Sequence, residues 1–173
     1  MITNEARERV RGWFHGRLPQ DWQAEAPDIT VDREEITVML TIPDVDLAEG
    51  VSDAEAAEAR AGRTKAFREE TRETRISIAR EAEHRFDRKV SWGVTIGERS
   101  ELFTHIAVPV MTRLRQPQRT VLDTLVEGGV ARSRSDALAW CVRLVGQHAD
   151  EWLAELREAM SHVADVRTKG PAA

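Results

Sequence analysis

Six arginines (113, 115, 119, 132, 134 and 143) fall between residues 111 and 149, where the only carboxylates are Asp123, Glu127 and Asp136. That stretch is net +3 inside a 173-residue chain whose total is −5. The acidic balance lies elsewhere: residues 1–50 are net −6, residues 51–110 are neutral, and residues 150–173 are net −2. A basic island in an acidic protein localises an anion, because the local field sets where a counter-charge settles. The average charge argues against a uniformly basic nucleic-acid binder.

Catalytic chemistry has no comparable signature. His15, His84, His105, His148 and His162 are scattered, with no pair at helical spacing to hold a metal. His84 sits between Glu83 and Arg85 and reads as exposed, as do His148 and His162, whereas His105 falls in an expected strand as a core residue. Cys141 is the only cysteine, which excludes an intramolecular disulfide and a cysteine-cluster metal site. It lies mid-helix on an apolar face, as an inert buried thiol does. Gly128-Gly129 lacks the Lys-Ser/Thr that completes a phosphate loop. Glu34-Glu35 and Glu69-Glu70 carry no sign of a desolvated, inward-facing pair. The expectation is therefore no catalytic residue, no metal and no cofactor.

The elements that position these side chains follow from periodicity. Hydrophobic residues make up 41% of the chain and charged ones 32%, enough apolar surface for a packed core. Residues 4–15 read as a helix with Ala6, Val10, Trp13 and Phe14 on one side, ended by Gly16 and Pro19. Ile36, Val38, Leu40 and Ile42 alternate with Thr37, Met39 and Thr41, a strand whose hairpin partner is Ile29 to Val31. Ser52 to Glu55 has capping-box form and opens a long, charge-dense helical region to about Phe86, relaxed at Gly62. Its arginines are matched by acids, as on a solvated face. Val90, Trp92, Val94 and Ile96 mark a second strand. A strand, a crossover helix and a strand give a parallel pair. The tryptophans read as core, with Trp13 or Trp22 placed to line a small pocket. The KGPAA tail reads as frayed.

Beyond residue 100 the pattern changes. A strand is expected from Leu102 on through Val110, interrupted by Pro109. In MTRLR, Met111, Arg113 and Arg115 point one way and Thr112 and Leu114 the other. Pro117 suits a helix first turn, and Gln118 to Glu127 buries Val121, Leu122, Leu125 and Val126. Gly128-Gly129 stops that helix. Ser133-Arg134-Ser135-Asp136 caps a second one, whose apolar side takes Ala137, Leu138, Cys141, Val142 and Val145. Trp152, Leu156, Met160 and Val163 mark a last helix that makes core or dimer contact.

In residues 110–147 the sequence resembles the ribbon-helix-helix DNA-binding family. The resemblance rests on GGVARSRSDALAWCVRLV, similar to the family's glycine turn, Ser-Arg-Ser cap and second helix, and on MTRLRQP, similar to its ribbon. It covers about a fifth of the chain, and about 100 residues precede the ribbon here, against few in the family. The resemblance implies two chains that pair their strands into an antiparallel ribbon over an intertwined four-helix core, with the ribbon in the major groove. Met111, Arg113 and Arg115 would then contact bases, an arginine fork matching both acceptors of guanine. Arg132, Ser133, Arg134 and Ser135 would contact phosphate at the start of the second helix.

The expected fold class is α+β: an acidic accessory lobe over 1–100, a ribbon-helix-helix-like DNA-binding and dimerisation unit over 101–148, and a C-terminal helix over 149–168. The expected function is a DNA-binding homodimer, a transcriptional regulator, with room for a protein or small-molecule effector on the first lobe. Two other classes fit: an antitoxin that autoregulates through the same unit, and an interaction module that binds no DNA. No apolar run reaches the roughly 18 residues of a membrane helix, and MITNEARERV carries no signal-type stretch. A cytoplasmic, nucleoid-associated protein without membrane partners is expected.

Overall fold

The computed structural model describes residues 2–22, 25–48 and 50–169, without the side chains of 161, 162 and 164–169. The KGPAA tail beyond Lys169 and the His162 side chain, both read from the sequence, lie outside the described residues. The chain has an α+β fold that divides into two compact units, Met1–Val108 and Pro109–Ala173.

The first unit begins with α1 (Asn4–Arg17), capped by Thr3, whose Oγ1 accepts from the Ala6 N–H at 3.2 Å. Val10 and Phe14, four apart on one face, are its buried residues. The helix runs through Gly16 and stops at Leu18, whose N–H bonds the Phe14 carbonyl. A single 3-10 turn (Gln20–Trp22) then buries Trp22.

The sheet has four strands in the order β1 (Asp28–Val31), β2 (Glu35–Thr41), β3 (Lys89–Ile96), β4 (Arg99–Leu102). β1 and β2 form the expected hairpin, with Val31 opposite Ile36. Asp32 shapes its turn, one carboxylate oxygen accepting from the Glu34 and Glu35 N–H groups at 2.7 Å each. β2 and β3 run parallel, Glu35 opposite Lys89 and Thr41 opposite Thr95, so the crossover reading holds. β4 is an addition to the sequence reading. Its RSEL is short and polar, and it enters the sheet through backbone pairing with β3 across a turn where Gly97 has φ +56°.

The crossover is made of α2 (Asp53–Glu70) and α3 (Arg72–Phe86), with the Ser52 hydroxyl accepting from the Glu55 N–H. The break is at Thr71, not Gly62: Thr71 has φ −91° and ψ −2°, and its hydroxyl donates to the Phe67 carbonyl at 2.6 Å. Asp87 closes α3 in the left-handed region, with φ 52° and ψ 46°.

Alternation along β2 buries Ile36, Val38 and Leu40 and leaves Thr37, Met39 and Thr41 half-buried. β3 departs from alternation, because Ser91 and Gly93 are buried as well. At Gly93 a Cβ would lie 2.5 Å from the Met39 Sδ and 2.7 Å from the Glu101 carbonyl oxygen, so only glycine admits both neighbours. The rings interlock edge to face: Trp22 meets Phe67 at 5.8 Å and Trp92 at 6.4 Å, and Phe14 meets Trp92 at 6.1 Å. Trp22 is therefore a core residue, while Trp13 packs edge-on against Phe14 and Phe86. No helix among the described residues is long and apolar enough to cross a membrane.

Past β4 the expected strand over Leu102–Val110 is not formed. Residues 104–115 belong to no helix or sheet, and His105, read as a core residue, is exposed. Pro109 lacks the N–H a ladder needs, and no strand among the described residues pairs with this segment. The second unit holds α4 (Gln116–Glu127), α5 (Arg134–His148) and α6 (Asp150–Lys169).

Candidate nucleic-acid interface

The basic stretch of the second unit starts as an extended segment that enters α4. Arg115 is the N-cap residue, with φ −78° and ψ 169°, and its N–H donates to the Gln118 side-chain oxygen at 3.0 Å. Pro117 occupies the first turn, where a missing N–H is not felt. Arg119 folds back to donate to the Leu114 carbonyl at 3.1 Å, tying the segment to the helix. α4 therefore begins two residues earlier than its apolar pattern indicated, since Gln116 and Pro117 carry no apolar signal.

Met111, Arg113 and Arg115 are exposed, Met111 almost completely at 97%. Leu114 turns inward onto the cluster of Leu122, Ala131 and Ala137. The in-and-out alternation is thus present at 113 to 115. Thr112, expected to face the core, is exposed in the single chain. Neither Arg113 nor Arg115 meets a carboxylate among the described residues. A groove of about 570 Å³ runs between this segment and the helices, with Arg113, Arg119, Arg134 and Ser135 on its walls.

α4 ends at a turn in which Gly129 has φ +73°. There the Val130 and Ala131 N–H groups both donate to the Leu125 carbonyl. α5 then starts with the expected cap. The Ser133 Oγ accepts from the Asp136 N–H at 3.2 Å, and Asp136 reaches back to accept from the Arg132 N–H at 3.0 Å. This leaves the N–H groups of Arg134 and Ser135 in the first turn without an acceptor inside the helix.

Arg132, Ser133, Arg134 and Ser135 are all exposed, but they are not equally free. Arg134 makes a bidentate ion pair with Asp123 of α4, at 2.6 and 2.8 Å. The Arg134 hydrogen bond holds the Asp123 carboxyl below the ordinary carboxylate range, and Asp123 in turn raises Arg134. Asp123 escaped the sequence reading because its partner lies eleven residues away across the turn, where no local spacing rule links them.

The hairpin buries little. Leu122, Ala131 and Ala137 are its buried residues, with Leu125, Val126, Leu138 and Cys141 half-covered. Val121 is 54% exposed, Val142 65% and Val145 55%, although their positions mark them as core. On α6, Trp152 and Leu156 are exposed as well. Among the described residues no group of histidine, cysteine and carboxylate side chains is arranged to hold a metal ion.

Two family descriptions match the chain: "Rv1265-like protein, N-terminal domain" over residues 8–102 and "Mb1296 C-terminal domain" over residues 115–167. Their limits coincide with the end of β4 and the cap of α4, and leave the segment carrying Met111 and Arg113 between them. The chain is 60% identical over 159 residues to uncharacterized protein Rv1265 of Mycobacterium tuberculosis and to uncharacterized protein Mb1296 of Mycobacterium bovis, spanning 92% of this chain and 69% of each relative. No solved structure matches the chain.

Proposed function

We propose that this chain, which belongs to the Rv1265-like family, is a DNA-binding homodimer that reads the major groove with residues 111–115. One observation carries the reading: an extended segment with Leu114 inward and Arg113 and Arg115 outward leads into a helical hairpin whose apolar face is uncovered. A hairpin with three buried residues is too small to stand on its own core, and a second copy supplies the missing cover. The same pairing gives the extended segment a partner for its backbone donors and acceptors. A two-stranded antiparallel ribbon fits the major groove.

In the dimer the outward arginines come together in an otherwise acidic protein. They are the groups that read guanine edges, while the unfilled N–H groups of Arg134 and Ser135 meet a phosphate. The Arg134 side chain contributes less to that phosphate contact, because Asp123 already holds it. Arg132 has no ion-pair partner among the described residues and is the cation of the turn that a phosphate can engage. An interaction module that binds no DNA calls for Arg113 and Arg115 to be buried or paired with acids, and they are neither among the described residues. A regulatory role follows from sequence-selective binding and is part of the same proposal.

The test is fluorescence anisotropy on pooled genomic DNA fragments across a salt series, with light scattering to follow the dimer. Arg113→Ala/Arg115→Ala is expected to lose fragment selectivity with the dimer intact. Arg132→Ala, at the phosphate contact, should instead weaken binding to all fragments alike and lower the salt slope by roughly one unit. A dimer that binds no fragment at low salt overturns the reading.

A further inference from the structure

The first unit contains a second concentration of positive charge, built differently from the first. At the break between α2 and α3, Arg75 is 7% exposed, yet no carboxylate among the described residues pairs with it. Its Nε donates to the Thr71 hydroxyl at 3.0 Å and one Nη to the Arg68 carbonyl at 2.7 Å. The other Nη donates to no described residue. The guanidinium lies 4.9 Å from the centre of the Phe103 ring, and that of Arg68 lies 5.5 Å from it.

These side chains border a cleft of about 550 Å³, whose charged lining is Lys65, Arg68, Arg72 and Arg75 against Glu69 and Glu101. Glu101 is engaged by Arg99, and Arg72 by Glu73. Lys65 and Arg68 have no ion-pair partner among the described residues. A buried cation without a counter-charge is costly, and placing more cations beside it raises the cost. Burial first, then Arg68 and Arg72, pull the Arg75 pKa below the ordinary arginine value. Among the described residues, the lining thus keeps Lys65, Arg68 and Arg75 free of ion pairs against Glu69, a positive balance complementary to an anion.

We infer that the cleft bounded by Lys65, Arg68, Arg72, Arg75 and Phe103 binds a small organic phosphate. The planar arginine fork matches phosphate oxygens in pairs, and several converging cations suit a dianion or diphosphate better than one carboxylate. The cleft is within the usual range for small-molecule sites, about 300–1,000 Å³, and far exceeds a bare phosphate. The phosphate end sits on the cations, and Ala61, Ile76 and Phe103 offer apolar surface to the rest of the molecule. The site lies wholly in the first unit and is independent of the DNA reading.

The test is calorimetric titration of the full chain with inorganic phosphate, inorganic pyrophosphate, the four ribonucleoside 5′-diphosphates and citrate. At least one diphosphate is expected to bind about tenfold or more tightly than inorganic phosphate and citrate. Lys65→Ala/Arg68→Ala, both exposed, is expected to weaken it about tenfold without changing the melting temperature. Arg75→Lys keeps the charge and loses both the free Nη and the bonds to Thr71 and the Arg68 carbonyl that hold it in place, so it is expected to weaken binding too. Arg113→Ala/Arg115→Ala should leave this binding unchanged, which separates a failure here from a failure of the DNA reading. Absence of binding by every probe at about 5 mM overturns the inference, as does equal binding of citrate or indifference to Lys65→Ala/Arg68→Ala. Loss of DNA affinity in that variant, with no diphosphate bound, also overturns it and makes the cluster a nucleic-acid surface.

Discussion

The two units bury apolar surface on different terms. Among the described residues, the first packs seventeen buried hydrophobic side chains into one cluster, while the α4–α5 hairpin buries three. The first is closed by a sheet with helical cover and by interlocking rings. The second displays Val121, Val142 and Val145 on the faces that its periodicity marks as interior. A unit with its own core has a stability set within one chain. If the second unit shares its core in the homodimer proposed above, its stability depends on protein concentration.

The comparison is tested most strongly at Phe14, which is fully buried between Trp13 and Trp92. Phe14→Ala should cost about 3–5 kcal/mol of the first unit's stability, through the transfer energy of the ring and the cavity left behind. In denaturant titrations that cost should be the same at low and high protein concentration. A cost that changes on dilution would mean that the first unit also borrows cover from a second copy.

Val142 should behave in the opposite way. On a solvated helix face Val142→Asp is nearly neutral, within about 0.5 kcal/mol. In a shared core it buries an unpaired charge, and the dimer should weaken roughly 100-fold or more. Sedimentation or light scattering across a dilution series reads the difference. A variant that remains as dimeric as wild type would remove the shared-core account of the second unit.

The smallest expected effect concerns the ion pair between Asp123 and Arg134, which sharpens the comparison inside the hairpin. Folding depresses the Asp123 pKa through the Arg134 hydrogen bond. The pair therefore contributes above the ordinary carboxyl value near 3.8, and its contribution disappears as pH falls below that value through the folded pKa. Wild type and Arg134→Ala should differ slightly in melting temperature near neutrality and converge in acid. The exposed location keeps the difference small, and salt should reduce it. A gap that persists at the lowest pH would assign the effect to packing of the arginine stem.

How much was legible in the sequence varied with the kind of signal. Ile36 to Ile42 and Val90 to Ile96 announced two strands because their apolar residues recur at every second position, although β3 is buried on both faces. Ser52 and Ser133 announced helix starts, because free N–H groups need a local acceptor. β4 was not legible, since Arg99–Leu102 has no apolar face and joins the sheet through backbone pairing with β3. The break at Thr71 went unseen for a similar reason. Gly62 is the weaker helix former, but it sits exposed in α2, and the turn falls where Phe67, Thr71 and Arg75 lock together.

The two basic sites divide along the same line. The Ser133 cap was readable because capping is a short-range rule that acts within a few residues, whereas of the alternation marked over 111–115 only the inward turn of Leu114 between two exposed arginines is present. The Arg75 cleft was not: eleven acids balance eleven bases over residues 51–110, and on paper they cancel. Local pattern settled β2, β3 and the caps, since each depends on neighbours along the chain, whereas the strand it marked over 102–110 is not formed. Tertiary packing decided which charges keep a partner. Arg17 finds Glu81 sixty-four residues away and Arg134 finds Asp123, while Arg75 is carried into the interior by the turn at Thr71 and meets Phe103 in place of a carboxylate.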